Sequence, residues 1–467
     1  MIKLVKNELF KVFKKKFFII MILLMIVFTG FTGYMNKKYA YSYMTIDDQI
    51  KYAQMDIDYY SKEVHLYPEF KDYYNDALAR LEMYKLAKTY GDESWQARVI
   101  MYESSAEVLG FLNLDITNPD KESPMYLEAK KSYDEVIKLL NDNDWKAYAK
   151  YQMEKLETSD DADSKITKEI LQLRLDKNIE YKNNYINTTL QTYEYSKSFL
   201  NYYETLSKPE QENPQTKEQY EYYLKDVYLA KYDIDHSTSL NDYASAHKNF
   251  IGTMSGYMIF IVMFGVVIAG SILSDEFNKG TIKLLLVKPY SRTKILISKF
   301  IAAMICLLIF IIVMHLIQFV VGGIICGFNT YSAVDVIYDY SKLNIVEIST
   351  FKSIINNIIT LLPIPVLLST LAFTLATIFP NAAFSIGIAM VGQIASELIN
   401  MFIVSKKIDF LKYFVTMNWD LSGYLYGGSA PYEGLTMMKS SIICLIYLLI
   451  MIVLSIVLFK KKDIKNI

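Results

Sequence analysis

Ser274-Asp-Glu-Phe-Asn-Lys-Gly-Thr-Ile-Lys-Leu-Leu-Leu-Val-Lys-Pro-Tyr-Ser-Arg-Thr-Lys-Ile-Leu-Ile-Ser-Lys299 is a charged stretch with an apolar centre, set between two long apolar runs at 250–273 and 300–326. Each run is long enough to cross a bilayer, which takes about 20 residues. The stretch carries Lys279, Lys283, Lys288, Arg292, Lys294 and Lys299 against Asp275 and Glu276 alone. Basic loops next to membrane helices stay on the cytoplasmic side. The sequence around it reads as a helical membrane protein.

Four further runs are long enough to cross, at 17–34, 354–379, 382–404 and 440–459. A cleaved signal peptide is the other reading of the first, but its apolar run is long and no A-x-A-like site follows. The N-terminal arm has Lys3, Lys6, Lys11, Lys14, Lys15 and Lys16, and the C-terminus has Lys460, Lys461, Lys462 and Lys465. The arm, the quoted loop and the C-terminus together hold 16 basic residues against four acids. The positive-inside rule places all three, and so both termini, in the cytoplasm. Residues 36–249 and the loops near 327–353 and 405–439 then lie outside. The connection at Pro380-Asn381 lies inside as a tight helical hairpin, since proline cannot continue a helix cleanly.

The net charge of −1 hides an asymmetry. Residues 36–250 carry 39 acidic and 27 basic side chains, while the rest carries 11 acidic and 22 basic. Two solvents are being addressed, and the chain divides into 1–35, an interfacial helix with the first span; 36–249, a soluble insert; and 250–467, five further spans. The insert has only Gly91 and Gly110 as glycines and little strand-like alternation. It is expected to be all-α, with its longest helical stretch from residue 165 to 206. It holds 28 of the 39 tyrosines. Tyrosine serves a core or a binding surface equally well. Tyr59-Tyr60, Tyr73-Tyr74, Tyr202-Tyr203 and Tyr222-Tyr223 stand out, because neighbours on a helix point in different directions.

The N-terminal arm is amphipathic: Ile2, Val5, Leu9, Val12 and Phe13 share a face, with Lys3, Asn7, Lys11 and Lys14 opposite. Such a helix lies at the membrane surface with its lysines near anionic lipid headgroups. Within the apolar runs Glu397 is the only acid, with Gln393, Ser396 and Asn400 expected on its face; His315 and Gln318 sit three apart in another run. An intramembrane acid commonly marks a pathway, and the alternative is hydrogen bonding between helices. Pro363 and Pro365 are expected to break the fourth span. Cys306, Cys326 and Cys444 all lie in apolar runs and suggest neither disulfides nor a metal site. There is no G-x-x-x-x-G-K-[ST] loop, and no cluster suggests enzyme catalysis.

The quoted loop resembles the coupling loop of ABC-2 type transporter permeases. There an acidic residue precedes a Gly-Thr step, then come an apolar stretch, Pro-x-Ser-Arg and a Lys entering the next helix. The matching positions are Glu276, Gly280, Thr281, Leu284 to Leu286, Pro289, Ser291, Arg292 and Lys299. The motif match covers this loop; the likeness in topology covers the whole chain. It implies an all-α membrane protein of six transmembrane helices, with an N-terminal interfacial helix and a large all-α extracellular domain, in a bacterial plasma membrane. It also implies a separate ABC ATP-binding subunit that docks on the loop and binds the ATP, and a second permease, identical or paralogous. This chain itself needs no cofactor, is no enzyme and meets no nucleic acid. The substrate implied is amphipathic, such as a peptide antibiotic or lipid-like molecule. Apolar Ile282 and Leu284–Val287 are expected to bury on the ATPase or at the membrane interface, and Glu276 and Arg292 to pair with each other or with the ATPase. Two other readings stay open: a membrane scaffold resembling phage-infection-protein or type VII secretion accessory proteins, and an ABC-linked sensor that moves its outer domain without moving substrate.

Overall fold

The computed structural model describes residues 1–40, 44–118, 120–282, 290–379 and 381–462. The chain divides into two compact units, Tyr41–Ser239 and a second formed by Met1–Ala40 with Leu240–Ile467. It is an all-α membrane protein with, among the described residues, six helices long and apolar enough to cross a membrane. Among the described residues the sheet is a single two-stranded hairpin.

The membrane unit begins with α1 (Ile2–Phe13) and α2 (Lys16–Tyr39). The insert follows as α3 (Ile46–Glu63), α4 (Lys71–Tyr90), α5 (Trp95–Arg98), α6 (Ser105–Thr117), α7 (Pro124–Asn141), α8 (Trp145–Lys155), α9 (Ala162–Asp176), α10 (Tyr185–Thr205), α11 (Lys208–Gln211) and α12 (Pro214–His236). Side-chain caps explain the starts: Thr45, Ser94, Ser123, Asp144, Asp161, Asn184 and Asn213 each accept from a backbone N–H of the first turn. Such a cap satisfies a donor that has no partner inside the helix. Three cores hold the unit, the smallest of them Ala53, Ile57, Ala77 and Leu81 between α3 and α4. Of the larger two, one gathers Trp95, Val99, Leu140, Tyr148 and Tyr181; the other joins α9, α10 and α12 through Ile166, Ile170, Leu190, Tyr193 and Ile234.

The single helix expected over 165–206 is instead two, α9 and α10. Asn178 adopts a left-handed backbone (φ 54°) and Asn184 caps α10. Asparagine tolerates that conformation and competes for backbone donors, so the asparagines of 177–184 end one helix and start another. The tyrosine pairs behave as helix geometry requires. Tyr59, Tyr73, Tyr202 and Tyr222 are exposed, while Tyr60, Tyr74, Tyr203 and Tyr223 are partly buried.

The membrane unit resumes with α13 (Ala246–Gly252), α14 (Met258–Asn278) and α15 (Arg292–Cys326). The hairpin β1 (Val334–Asp339) and β2 (Asn344–Ser349) pairs antiparallel and was not anticipated. Then come α16 (Thr350–Leu361), α17 (Pro363–Ile378), α18 (Ala382–Ser405) and α19 (Met437–Lys461). The second span starts at Met258 rather than 250, because a turn over 253–257, with Gly256 in it, separates it from α13. The fourth span breaks at Leu362 as the prolines predict. A loop, not a helix, supplies a partner at the break: Leu421 N–H donates to Thr360 O at 3.1 Å. At the fourth-to-fifth turn Asn381 caps α18 through Phe384 N–H at 3.3 Å, and Pro380 lies outside the described residues.

α14 packs on α15, α17 and α18. Phe264 stacks on Phe310 with ring centroids 3.9 Å apart. At Gly265 a Cβ would overlap the Ser369 side chain, and at Gly270 it would lie 2.9 Å from Ile386. Small residues let helices approach this closely in a bilayer. The loop 406–436 is pinned by buried Asn418, whose Nδ2 donates to Lys412 O (2.7 Å) and Phe414 O (2.9 Å), while its Oδ1 accepts from Ser440 of α19 (2.8 Å).

Candidate functional site

α14 ends and α15 begins at the two ends of the loop quoted first, and the structure builds an ion-pair square there, with Lys299, Glu8 and Glu276 buried and Lys11 at its exposed corner. Lys299, two turns into α15, is fully buried. Its Nζ lies 2.8 Å from Glu8 Oε2 and 3.3 Å from Glu276 Oε1. Lys11 Nζ lies 2.7 Å from the same Glu276 oxygen and 3.3 Å from Glu8 Oε1. Two cations and two anions therefore alternate, so each charge faces two of opposite sign. Lys299 also donates to Ile272 O at 3.3 Å, and the Thr281 hydroxyl donates to the second Glu276 oxygen. Lys15 extends the network to Asp275 (2.8 Å) and Ser271 Oγ (3.0 Å). Buried charges hold only when paired and hydrogen-bonded like this. Burial works against the charge on Lys11, but the hydrogen bond to Glu276 and the fields of Glu8 and Glu276 outweigh it and hold the ammonium above its usual range.

Local structure explains the convergence. Val5, Glu8 and Val12 follow one another at helical intervals, and they are the buried residues of α1. The apolar face expected for the arm is accordingly rotated. Val5 and Val12 are buried, but Ile2 is 86% exposed and the inward stripe admits Glu8. On the other side Gly280 takes φ 67°, a left-handed angle that favours glycine. A Cβ there would meet nothing, so the constraint is in the backbone. The turn returns Thr281 onto Glu276 and drops Ile282, fully buried, into the core with Phe277 and Leu296.

Two expectations for the loop change. Ile282 needs no partner protein, since this chain buries it. Glu276 and Arg292 do not pair: Glu276 is taken by Lys11, Lys299 and Thr281, while Arg292 Nη1 donates to Lys460 O (3.1 Å) and Lys462 O (2.9 Å). Those carbonyls close α19, where a helix has acceptors to spare and favours a cation. Lys462 Nζ in turn donates to Thr377 O (2.8 Å) and Ile378 O (3.0 Å) at the end of α17. Leu284 to Leu286 and Pro289 lie outside the described residues.

The intramembrane polar residues do not form one track. His315 and Gln318 are on α15, which packs on α1, α2, α14 and α19; Gln393, Glu397 and Asn400 are on α18, which packs on α14 and α17. His315 Nδ1 bonds Ile311 O at 2.7 Å on its own helix, and Gln318 is buried. Asn400 is spent on the fold: its Nδ2 donates to Thr416 O (3.0 Å) and its Oδ1 accepts from Thr416 Oγ1 (2.5 Å). Ser396 is buried while Glu397 is exposed, so they do not share the expected face: they are adjacent in sequence, and neighbours on a helix point in different directions; Gln393 is partly buried.

Glu8, Lys11 and Lys15 were not singled out from sequence. The available signal was slight: Glu8 is the lone acid of an arm with six lysines, set three residues after Val5 and four before Val12. What the square can do is mechanical, because it ties α1, α14 and α15 at the two ends of one loop.

A family model described as "Protein of unknown function (DUF2705)" matches residues 220–465. The chain is similar to the "Uncharacterized protein YhcI" of Bacillus subtilis (strain 168), 28% identical over 261 residues, 56% of this chain and 82% of the relative. It is also similar to the "Uncharacterized membrane protein YdbK" of the same organism, 24% identical over 225 residues, 48% of this chain and 86% of the relative. No solved structure matches.

Proposed function

From the premise that this chain belongs to the DUF2705 family, we propose that it is the permease subunit of an ABC-2 type transporter, driven by a separate ATP-binding subunit docked on the loop 279–291. The ion-pair square carries the reading. A push on that loop is borne at one end by Glu276, which grips Lys11 on α1, and at the other by Lys299, which grips Glu8 on α1. Three helices then move as one body. The loop resembles the ABC-2 coupling loop at its acid, its Gly-Thr step and its Lys, and these are the groups that build the square.

In this reading the chain sits in a bacterial plasma membrane with both termini in the cytoplasm and residues 36–249 outside. Its substrate is amphipathic, a peptide antibiotic or lipid-like molecule, captured from the membrane. A second permease, identical or paralogous, covers the exposed face of α18. Glu397 supports that pairing: facing lipid near the bilayer centre, a carboxylate costs at least ~2.5–3.5 kcal/mol, a cost that a protein neighbour or an aqueous path removes.

The test is a mild-detergent pull-down of the tagged full chain from its own host, beside a Leu284→Ser/Leu286→Ser variant. The proposal expects a P-loop ATPase with the native protein and its loss with the variant. Secretion or cell-wall proteins in both samples, without an ATPase, would replace it with the scaffold reading.

A further inference from the structure

A small cavity lies in the membrane unit, where the start of α14, the middle of α15 and the broken fourth span meet. It offers about 10 Å³, room for one water-sized body, which takes ~10–15 Å³. An acyl chain or an organic ligand does not fit. Its lining is unusual in its donors: the imidazole of His315, the amide of Asn357 and the thioethers of Met254 and Met258. The other walls are aliphatic, and among the described residues no carboxylate, lysine or arginine lines it.

His315 is held with one nitrogen spent and one free. Nδ1 lies 2.7 Å from Ile311 O. A carbonyl only accepts, so Nδ1 carries the proton and the neutral ring keeps its lone pair on Nε2. That lone pair has no hydrogen-bond partner among the described residues. Phe250 meets the ring edge to face, with centroids 6.3 Å apart. Metal-binding imidazoles are held in this way: an N–H on a backbone carbonyl fixes the tautomer and the ring, and the opposite nitrogen presents its lone pair. Met254 is buried and Met258 partly buried, and both face the same cavity as His315. Asn357 donates from Nδ2 to Ser353 O at 3.1 Å, which leaves its Oδ1 without a partner among the described residues.

The donor set selects the occupant. Calcium and magnesium ask for several oxygen ligands, mostly carboxylates and waters. Two thioethers and an imidazole are neutral and soft, the ligands that favour Cu(I). A single positive charge also needs no carboxylate to balance a second one, and coordinate bonds replace the hydration it loses on burial. We infer that this cavity is a binding site for a soft monovalent cation, Cu(I), held by His315 Nε2 and the sulfurs of Met254 and Met258. The site needs no ATPase and no transport, so its failure leaves the permease reading untouched.

The test titrates the detergent-solubilised full chain with Cu(I), kept reduced and anaerobic, against a chromogenic Cu(I) chelator, and counts the equivalents that the protein withholds. Met254→Leu/Met258→Leu removes both sulfurs at nearly constant volume, and His315→Phe removes the imidazole. Cys306, Cys326 and Cys444 lie outside the lining and contribute alike to all three proteins. The native chain should withhold one equivalent that both variants release to at least tenfold less chelator, and Zn(II) should show no such difference. Should His315→Phe fail to fold, the methionine variant decides alone. Equal Cu(I) retention by the native chain and the methionine variant overturns the inference, and so does a native chain that withholds none; the cavity then holds at most a water on Nε2.

Discussion

Lys299→Met is the sharpest test of the ion-pair square. The side chain is fully buried and its ammonium lies 2.8 and 3.3 Å from two carboxylates. Methionine keeps the length and removes the charge. Glu8 and Glu276 then share Lys11 alone, leaving the site one negative charge in excess. Breaking a buried ion pair by removing one partner costs about 3–5 kcal/mol. At roughly 2–4 °C of Tm per kcal/mol for a unit of this size, that is a loss of about 6–20 °C. Fluorescence-detected size-exclusion after graded heating reads it on the full chain in detergent. Glu8→Gln/Lys299→Met restores charge balance, so it should be more stable than Lys299→Met alone, with a coupling of about 0.5–3 kcal/mol. A Lys299→Met protein as stable as the native chain, or strictly additive losses in the cycle, would refute the square as a buried network.

Three further outcomes are expected. Burial raises the Glu194 carboxyl, which accepts a hydrogen bond from Thr167 at 2.7 Å. The folded insert therefore holds that proton more tightly than the unfolded chain, and stability is lost as pH rises from about 4.3, the unfolded value, through the folded one. Glu194→Gln should then melt higher than the native protein at pH 7 and level with it near pH 4, read by near-ultraviolet circular dichroism; equal gains at both pH values would contradict the sign. Gly265→Ala should cost about 1–3 kcal/mol by overpacking against Ser369, and Gly265→Ala/Ser369→Gly should recover most of it in the same melting assay. Thr416→Val removes the hydroxyl that donates to Asn400, and should speed proteolysis in the 406–436 loop without changing overall helix content by circular dichroism.

The spans were legible because each is a local property: a run of apolar residues records its own burial whatever it packs on. The all-α character of the insert was legible in its scarcity of glycine and of strand-like alternation, and the difference in exposure within each tyrosine pair followed from the helical period alone. The ion-pair square was half legible. Glu276, Thr281 and Lys299 stood out as loop positions, but Glu8 is 291 residues from Lys299, and no period in the chain links them. Arg292 was misassigned for the same reason, since its partners are backbone carbonyls and carry no sequence signature. The β-hairpin had a readable cue in Val334-Asp-Val-Ile-Tyr-Asp339, β-branched and aromatic residues of the kind strands favour. It was passed over because the membrane pattern on either side is stronger.

The clasp among α15, α17 and α19 has a consequence for the order in which the protein is made. Arg292 waits for a carbonyl synthesised 170 residues later, and the end of α17 waits for an ammonium made 85 residues after Thr377. At about 5–20 residues per second, the ribosome needs on the order of ten seconds or more to travel from the first to its partner. During that interval the third and fourth spans are already in the bilayer with their ends unclasped. The clasp can form only once Lys462 has been made, so a nascent chain stalled short of that residue leaves the ends of the third and fourth spans untied.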